Sequence, residues 1–105
     1  MSCAPEESTV LCYSVYLVSC RDGSLYTGIA TDVQRRIAEH EDGRRGAKYL
    51  RGRAPLTLVF EKPIGDRGLA QRIESRIKRL PRNEKVDLSR LGYLIDRWLI
   101  EAEGQ

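Results

Sequence analysis

The sequence predicts a small α/β fold of the α+β kind, with a three-stranded, mostly antiparallel sheet flanked by helices. Two short runs rich in β-branched and aromatic residues, Tyr13 to Val18 and Leu25 to Ala30, flank Arg21-Asp22-Gly23, which is the pattern of a β-hairpin. Beyond them the apolar spacing becomes helical, returns to a strand and becomes helical again, so the element order reads strand, strand, helix, strand, helix, helix. At 105 residues, 31% charged and 41% hydrophobic, the chain fits one domain around one core and excludes a large multi-domain enzyme.

Residues 1–9 mix Pro, Ser and Glu and read as a loose tail, residues 10–101 as the single domain, and 102–105 as a second tail. In the hairpin, Gly23 supplies the left-handed residue of a three-residue loop. That loop length sets Tyr16 opposite Gly28 and Tyr26 opposite Val18, placing both tyrosines on one face, whereas a two-residue turn would separate them. Thr31 is expected to cap the first helix, with Gln34 completing the reciprocal box and Asp32 favourable at the positive helix end. The helix runs to about Asp42, where Gly43 stops it. Leu56 to Glu61 reads as the third strand, closed by Pro63 and Gly65. Asp66 then caps a helix carrying Leu69, Ile73, Ile77 and Leu80, which Pro81 interrupts. A last helix, from about Asp87 to Glu101, presents Leu88, Leu91, Leu94, Ile95, Trp98 and Leu99 on one side. No internal repeat or low-complexity segment is visible.

The longest clean apolar run, Leu56 to Phe60, is far shorter than the roughly 18 residues of a membrane span, so no membrane crossing is expected. Val10 to Val18 superficially resembles a secretion signal, and Leu17-Val18-Ser19-Cys20 a lipoprotein site. However, Glu6 and Glu7 precede the stretch and the first basic residue is Arg21, the wrong flank for a signal. Cys3, Cys12 and Cys20 are odd in number and lack CxxC spacing, which points to neither a disulfide framework nor a zinc site and favours a reducing cytoplasm.

Charge is unevenly distributed. Residues 44–82 hold twelve Lys or Arg against three acids, although the whole chain carries only +3. Within that half, Arg44, Arg45, Lys48, Arg51 and Arg53 are interleaved with Gly46, Gly52 and Tyr49, a pattern suited to a phosphate-binding loop. A solvated basic loop without a dedicated partner is the alternative, and the asymmetry favours nucleic acid.

At about 100° per residue, Arg36 and His40 lie one turn apart beside the apolar stripe of Val33 and Ile37, while Arg35 points away. An arginine near a buried face needs an anion, either an internal carboxylate or a bound phosphate. His40 taken alone is equally compatible with a plain packing role. Glu74 is the only acid between Arg67 and Arg82. It can pair with Lys78 one turn on, or hold Mg²⁺, which takes one or two protein carboxylates and fills its other positions with water and phosphate oxygens.

Together, Ser14-Val15-Tyr16, Tyr26-Thr27-Gly28, Arg36 and Glu74 resemble the GIY-YIG nuclease module, as found at the amino-terminal end of an excinuclease component and in homing endonucleases. The likeness covers nearly the whole chain. It is greatest to the small stand-alone bacterial members, through Leu25 to Ile29, the Thr31-Asp32-Val33 helix start with its following arginines, Gly46-Ala47-Lys48, and Gly65-Asp66-Arg67 with Ala70. The resemblance implies phosphodiester hydrolysis with one divalent metal ion, Mg²⁺ or Mn²⁺. It identifies Tyr16 and Tyr26 as the family tyrosines, one of which would orient or deprotonate the attacking water, and assigns Arg36 to the scissile phosphate and Glu74 to the metal. His40 falls where the family has a Tyr or His that assists the proton network.

A tyrosine with a pKa near 10 is a poor base at pH 7, so either its environment lowers it, the direction in which a cationic Arg36 and a nearby metal ion act, or the metal activates the water instead. Two features depart from the family pattern. Ser-Val-Tyr replaces Gly-Ile-Tyr, and Ile29 stands where the excinuclease module has a lysine, removing any relay through that lysine. Asn83 is near the position of a late family Asn without being assigned to it. The expectation is therefore a metal-dependent endonuclease acting on DNA in repair, selective for structure or damage, as a monomer or weak homodimer. Two alternatives stand beside it: a non-catalytic nucleic-acid-binding module of the same fold, and a component of a larger assembly that uses the Trp98 helix as its interface.

Overall fold

A computed structural model describes residues 11–42 and 53–103. The elements are β1 (Tyr13–Ser19), β2 (Leu25–Ala30), α1 (Val33–Asp42), β3 (Thr57–Gly65), α2 (Arg67–Lys78), α3 (Arg82–Val86) and α4 (Leu88–Glu103). The sheet order is β2-β1-β3, with β1 antiparallel to both neighbours.

As the central strand, β1 is buried on both faces from Val15 to Val18, and the two-residue repeat of a strand sends alternate side chains to separate cores. Val15 and Leu17 pack with Ile73 and Ile77 of α2 and Leu91 and Ile95 of α4. Tyr16 and Val18 pack with Val33 and Ile37 of α1 and with Leu56. The sheet is thus sandwiched between α1 on one side and α2 with α4 on the other. Trp98 is half-buried and packs against the α2–α4 core, with the Arg76 guanidinium 4.9 Å from its ring centroid. Among the described residues no helix is long and apolar enough to cross a membrane.

The hairpin has the expected register. Tyr16 pairs with Gly28 and Val18 with Tyr26, and Gly23 adopts φ +86°, a conformation costly for residues with a Cβ. The Cys20 N–H donates to the Ser24 carbonyl at 2.8 Å, and the Gly23 N–H to the Cys20 carbonyl at 2.9 Å. At α2, Asp66 caps as expected, its carboxylate accepting from the Leu69 N–H.

Four local expectations are corrected. The cap of α1 is Asp32 and not Thr31: the Asp32 carboxylate accepts from the Arg35 N–H at 3.1 Å, and its carbonyl from the Arg36 N–H. Asp is the better N-cap, and it puts Arg35, which has no side-chain acceptor, where a reciprocal box needs Glu or Gln. β3 runs through Pro63 to Gly65 because it is an edge strand, where a missing N–H is tolerated; the register shifts between Tyr13 and Ser14, beside the Ser14–Pro63 pair. The chain after Pro81 forms a separate short helix before α4. Finally, Cys12 is disulfide-bonded, whereas Cys20 is a free, buried thiol; the cysteine spacing, which points to no disulfide framework, gives no sign of this bond. The tail at residues 1–9 and the helix stop at Gly43 lie outside the described residues.

The capping assignment makes a specific prediction. Asp32→Ala should lower stability by about 1 kcal/mol, as loss of an N-cap does, while Thr31→Ala, at an exposed position, should leave the urea midpoint nearly unchanged.

Candidate active site

The site is organised by one side chain crossing a gap. Tyr16 and Gly28 face each other across β1 and β2, and the phenol ring lies over the glycine. A Cβ built on Gly28 would stand 2.6 Å from the Tyr16 hydroxyl oxygen and 2.7 Å from Cζ, closer than real atoms approach. Glycine at this position is therefore required by packing, and its absent side chain is the channel through which the phenol reaches α1. There the Tyr16 hydroxyl meets His40 Nε2 at 2.9 Å. Both residues are buried, at 1% and 3% exposure.

The other candidates surround this pair. Tyr26 is half-buried and meets the His40 ring edge-on, with centroids 5.6 Å apart. Arg36, half-buried one turn before His40, donates to Glu39 at 3.0 Å. Arg35 is 73% exposed and reaches the same carboxylate at 3.5 Å. The internal carboxylate anticipated for Arg36 is thus Glu39, whose spacing of three residues from Arg36 and four from Arg35 was a readable signal. Arg36 also bears directly on Tyr16, through its charge and a side-chain hydrogen bond. Glu74, from the opposite layer, is close enough for its charge to act on Tyr16, and it pairs with Lys78 at 3.3 Å.

Burial dominates the electrostatics. It pushes the Tyr16 hydroxyl well above its ordinary value, with the neighbouring Tyr26 adding to the effect. Arg36 pulls the other way through charge and hydrogen bonding, as the sequence suggested, but does not offset desolvation. His40 is shifted down, first by burial and then by the Arg36 charge, with Glu39 opposing. At neutral pH the pair is therefore an uncharged phenol against an uncharged imidazole. With the Nδ1–H tautomer, Nε2 accepts the phenolic proton.

Among the described residues no three His, Cys, Asp or Glu side chains gather into a metal site. Glu74 is a half-buried carboxylate, its side chain 19% exposed. A single hard carboxylate is compatible with Mg²⁺ or Mn²⁺ when water and phosphate oxygens complete the shell. The surface around the cluster is open. A groove of about 300 Å³ lies beside Arg36, and one of about 370 Å³ lies beside Tyr26. The larger grooves, about 500 and 590 Å³, flank α2 and α4 away from Tyr16.

Of the basic loop, Arg44, Arg45, Lys48 and Arg51 lie outside the described residues. Arg53 is placed at the hairpin tip, where its guanidinium bonds Asp22 at 2.6 Å and approaches Ser24 at 3.4 Å. Arg82 holds the same tip by donating to the Gly23 carbonyl at 2.9 Å. A phosphate contact by Arg53 would have to compete with Asp22.

Residues 12–87 match the GIY-YIG catalytic domain. The chain belongs to the GIY-YIG family. A relative from Escherichia coli (strain K12 / DH10B), the UPF0213 protein YhbQ, is 54% identical over 74 residues, covering 70% of this chain and 73% of that protein. The UPF0213 protein Ent638_3592 of Enterobacter sp. (strain 638) is 51% identical over 78 residues, covering 74% and 76%. The solution NMR structure of the protein EF2693 from E. faecalis matches with a TM-score of 0.54 at 32% identity, covering 79% of this chain and 88% of that one. GIY-YIG membership places the chain in a nuclease family, makes nucleic acid its partner class, and brings with it a family that generally uses divalent metals.

The buried histidine predicts a pH dependence of stability. His40 is held below its ordinary value of 6.5, so the unfolded chain binds the proton more readily. Stability should therefore fall as pH drops below about 6.5 and level off beneath the folded-state value. Urea unfolding between pH 7.5 and 5.5 should show a smaller loss for His40→Gln than for the natural chain.

Proposed function

We propose that this GIY-YIG domain is a metal-dependent endonuclease that hydrolyses phosphodiester bonds in DNA, selecting its substrate by structure or damage. The observation that carries the reading is the Tyr16–His40 hydrogen bond with Tyr26, Arg36 and Glu74 around it. A phenol shifted upward is a poor base by itself, but the pair acts as a relay. The Tyr16 oxygen accepts a proton from the attacking water as its own proton passes to His40 Nε2, which needs no phenolate. Tyr26, the less buried tyrosine, orients that water from the solvent side. Arg36 binds the scissile phosphate and stabilises the charge that develops as the phosphorus–oxygen bond breaks.

Glu74 would hold the divalent ion, Mg²⁺ or Mn²⁺, which when bound supplies Lewis-acid stabilisation of the phosphate. Arg44, Arg45, Lys48 and Arg51 would track the flanking backbone. The open, shallow grooves suit a polymer backbone better than an enclosed small molecule. The reading includes a monomeric or weakly dimeric protein acting on nucleic acid in the cytoplasm.

The test is single-turnover cleavage of labelled single-stranded, duplex, flap and branched DNA with Mg²⁺, Mn²⁺ or EDTA. Arg36→Ala should reduce the rate by roughly 10²-fold or more, whereas Arg35→Ala should alter mainly affinity. Glu74→Gln should stay folded and bind DNA while losing most cleavage. Equal effects of the two arginine variants on the rate, full activity of Glu74→Gln, or binding of all substrates without cleavage would contradict the reading. The last result would leave a nucleic-acid-binding module.

A further inference from the structure

The Glu74–Lys78 pair poses a problem for any cation at Glu74. The Lys78 ammonium stands 3.3 Å from the Glu74 carboxylate, where a divalent ion would meet a like charge. Lys78 is 53% exposed at its side chain, against 19% for Glu74, so the lysine is the partner able to move. Beside it lies the groove of about 370 Å³ between the β2 edge and the α2–α3 corner, lined by Leu25, Tyr26, Thr27, Lys78 and Lys85. Among the described residues no carboxylate lines it. The Lys85 ammonium is tethered at this corner, approaching the Lys78 carbonyl at 3.5 Å. Tyr26 joins the groove to the site, since the same ring meets His40.

We infer that this groove is a phosphate subsite for the nucleic-acid strand, formed by Lys85 and by Lys78 once Lys78 leaves Glu74, so that a divalent ion at Glu74 and a backbone phosphate in the groove promote each other's binding. The inference rests on the metal role proposed for Glu74. A phosphate between the two ammoniums gives Lys78 a replacement anion, and its departure uncovers the carboxylate. By linkage, whatever factor the phosphate contributes to metal affinity, the metal contributes equally to phosphate affinity. Lys78 thereby keeps the half-buried carboxylate paired when neither ligand is present.

The experiment measures Mn²⁺ affinity by electron paramagnetic resonance on the full chain, with and without a phosphorothioate duplex that resists cleavage. In the natural chain the duplex should tighten Mn²⁺ binding. Lys78→Met should bind Mn²⁺ roughly two- to fivefold more tightly without DNA, the range expected from losing an exposed ion pair, and should gain less from adding the duplex. Lys85→Met removes an equal charge from the groove without touching Glu74. It should leave Mn²⁺ affinity without DNA unchanged and weaken duplex binding. If Glu74→Gln abolishes Mn²⁺ binding but Lys78→Met matches the natural chain, or both lysine variants tighten Mn²⁺ equally, the shared-lysine inference is overturned and the metal role stands. If Glu74→Gln binds Mn²⁺ normally, the metal role falls and the inference falls with it.

Discussion

The arrangement depends on the passage of the Tyr16 ring over Gly28 to His40. Tyr16 belongs to the central strand and His40 to the helix covering one face of the sheet, and their 2.9 Å hydrogen bond joins the two layers inside the core. The bond requires three separate conditions. The three-residue hairpin loop must set Tyr16 opposite position 28, that position must lack a side chain, and α1, capped by Asp32, must turn Val33, Ile37 and His40 toward the sheet. Among the described residues no buried side-chain nitrogen or oxygen lacks a hydrogen-bond partner, so the polar pair is accommodated without the penalty of an orphaned buried group.

The burial that holds the pair also sets its chemistry. Desolvation raises the phenol and lowers the imidazole, and the two shifts favour the same state, in which neither ring is charged. Transfer within the neutral pair alone would create a buried phenolate and imidazolium, so the proton moves only when an attacking water supplies the Tyr16 oxygen with another, which is the condition a relay needs. The charged groups sit at the edge of this neutral centre: Arg36 with Glu39 on one side and Glu74 with Lys78 on the other. These partly exposed pairs contribute little to stability. The fold is held by the two apolar layers, leaving the ionic groups available to exchange partners with a ligand.

Much of this was legible in the sequence, for physical reasons that differ by element. Hairpin register follows from loop length and Gly23, both local, and the two tyrosines lie on one face as expected. The facing of Arg36 and Arg35 follows from helical geometry. Other features were not legible. Asp32 displaced Thr31 as the cap because two adjacent residues can both serve and only the helix register decides. Pro63 continues β3 because the sheet order makes that strand an edge, a tertiary fact. The upward shift of Tyr16 was missed because Arg36, its neighbour in the site, was foreseeable from sequence while the depth of burial was not. Gly28 was recognised as part of a motif, but its steric reason required the register and the ring together. Arg53 reads as one more cation of a basic loop, and only the fold reveals Asp22 as its partner.

The central claim is that the Tyr16 hydroxyl, and not merely its ring, performs the proton transfer of a phosphodiester hydrolysis. Tyr16→Phe isolates it, because the ring can still pack over Gly28 while the oxygen facing His40 is removed. The direct measurement is the single-turnover rate of DNA cleavage at saturating enzyme and Mg²⁺, with duplex affinity and urea stability measured in parallel. The account predicts a rate reduced by about 10²-fold or more, the range for loss of a positioned acid–base group, with DNA affinity retained and a folded protein. A Tyr16→Phe chain that cleaves at the natural rate would contradict it.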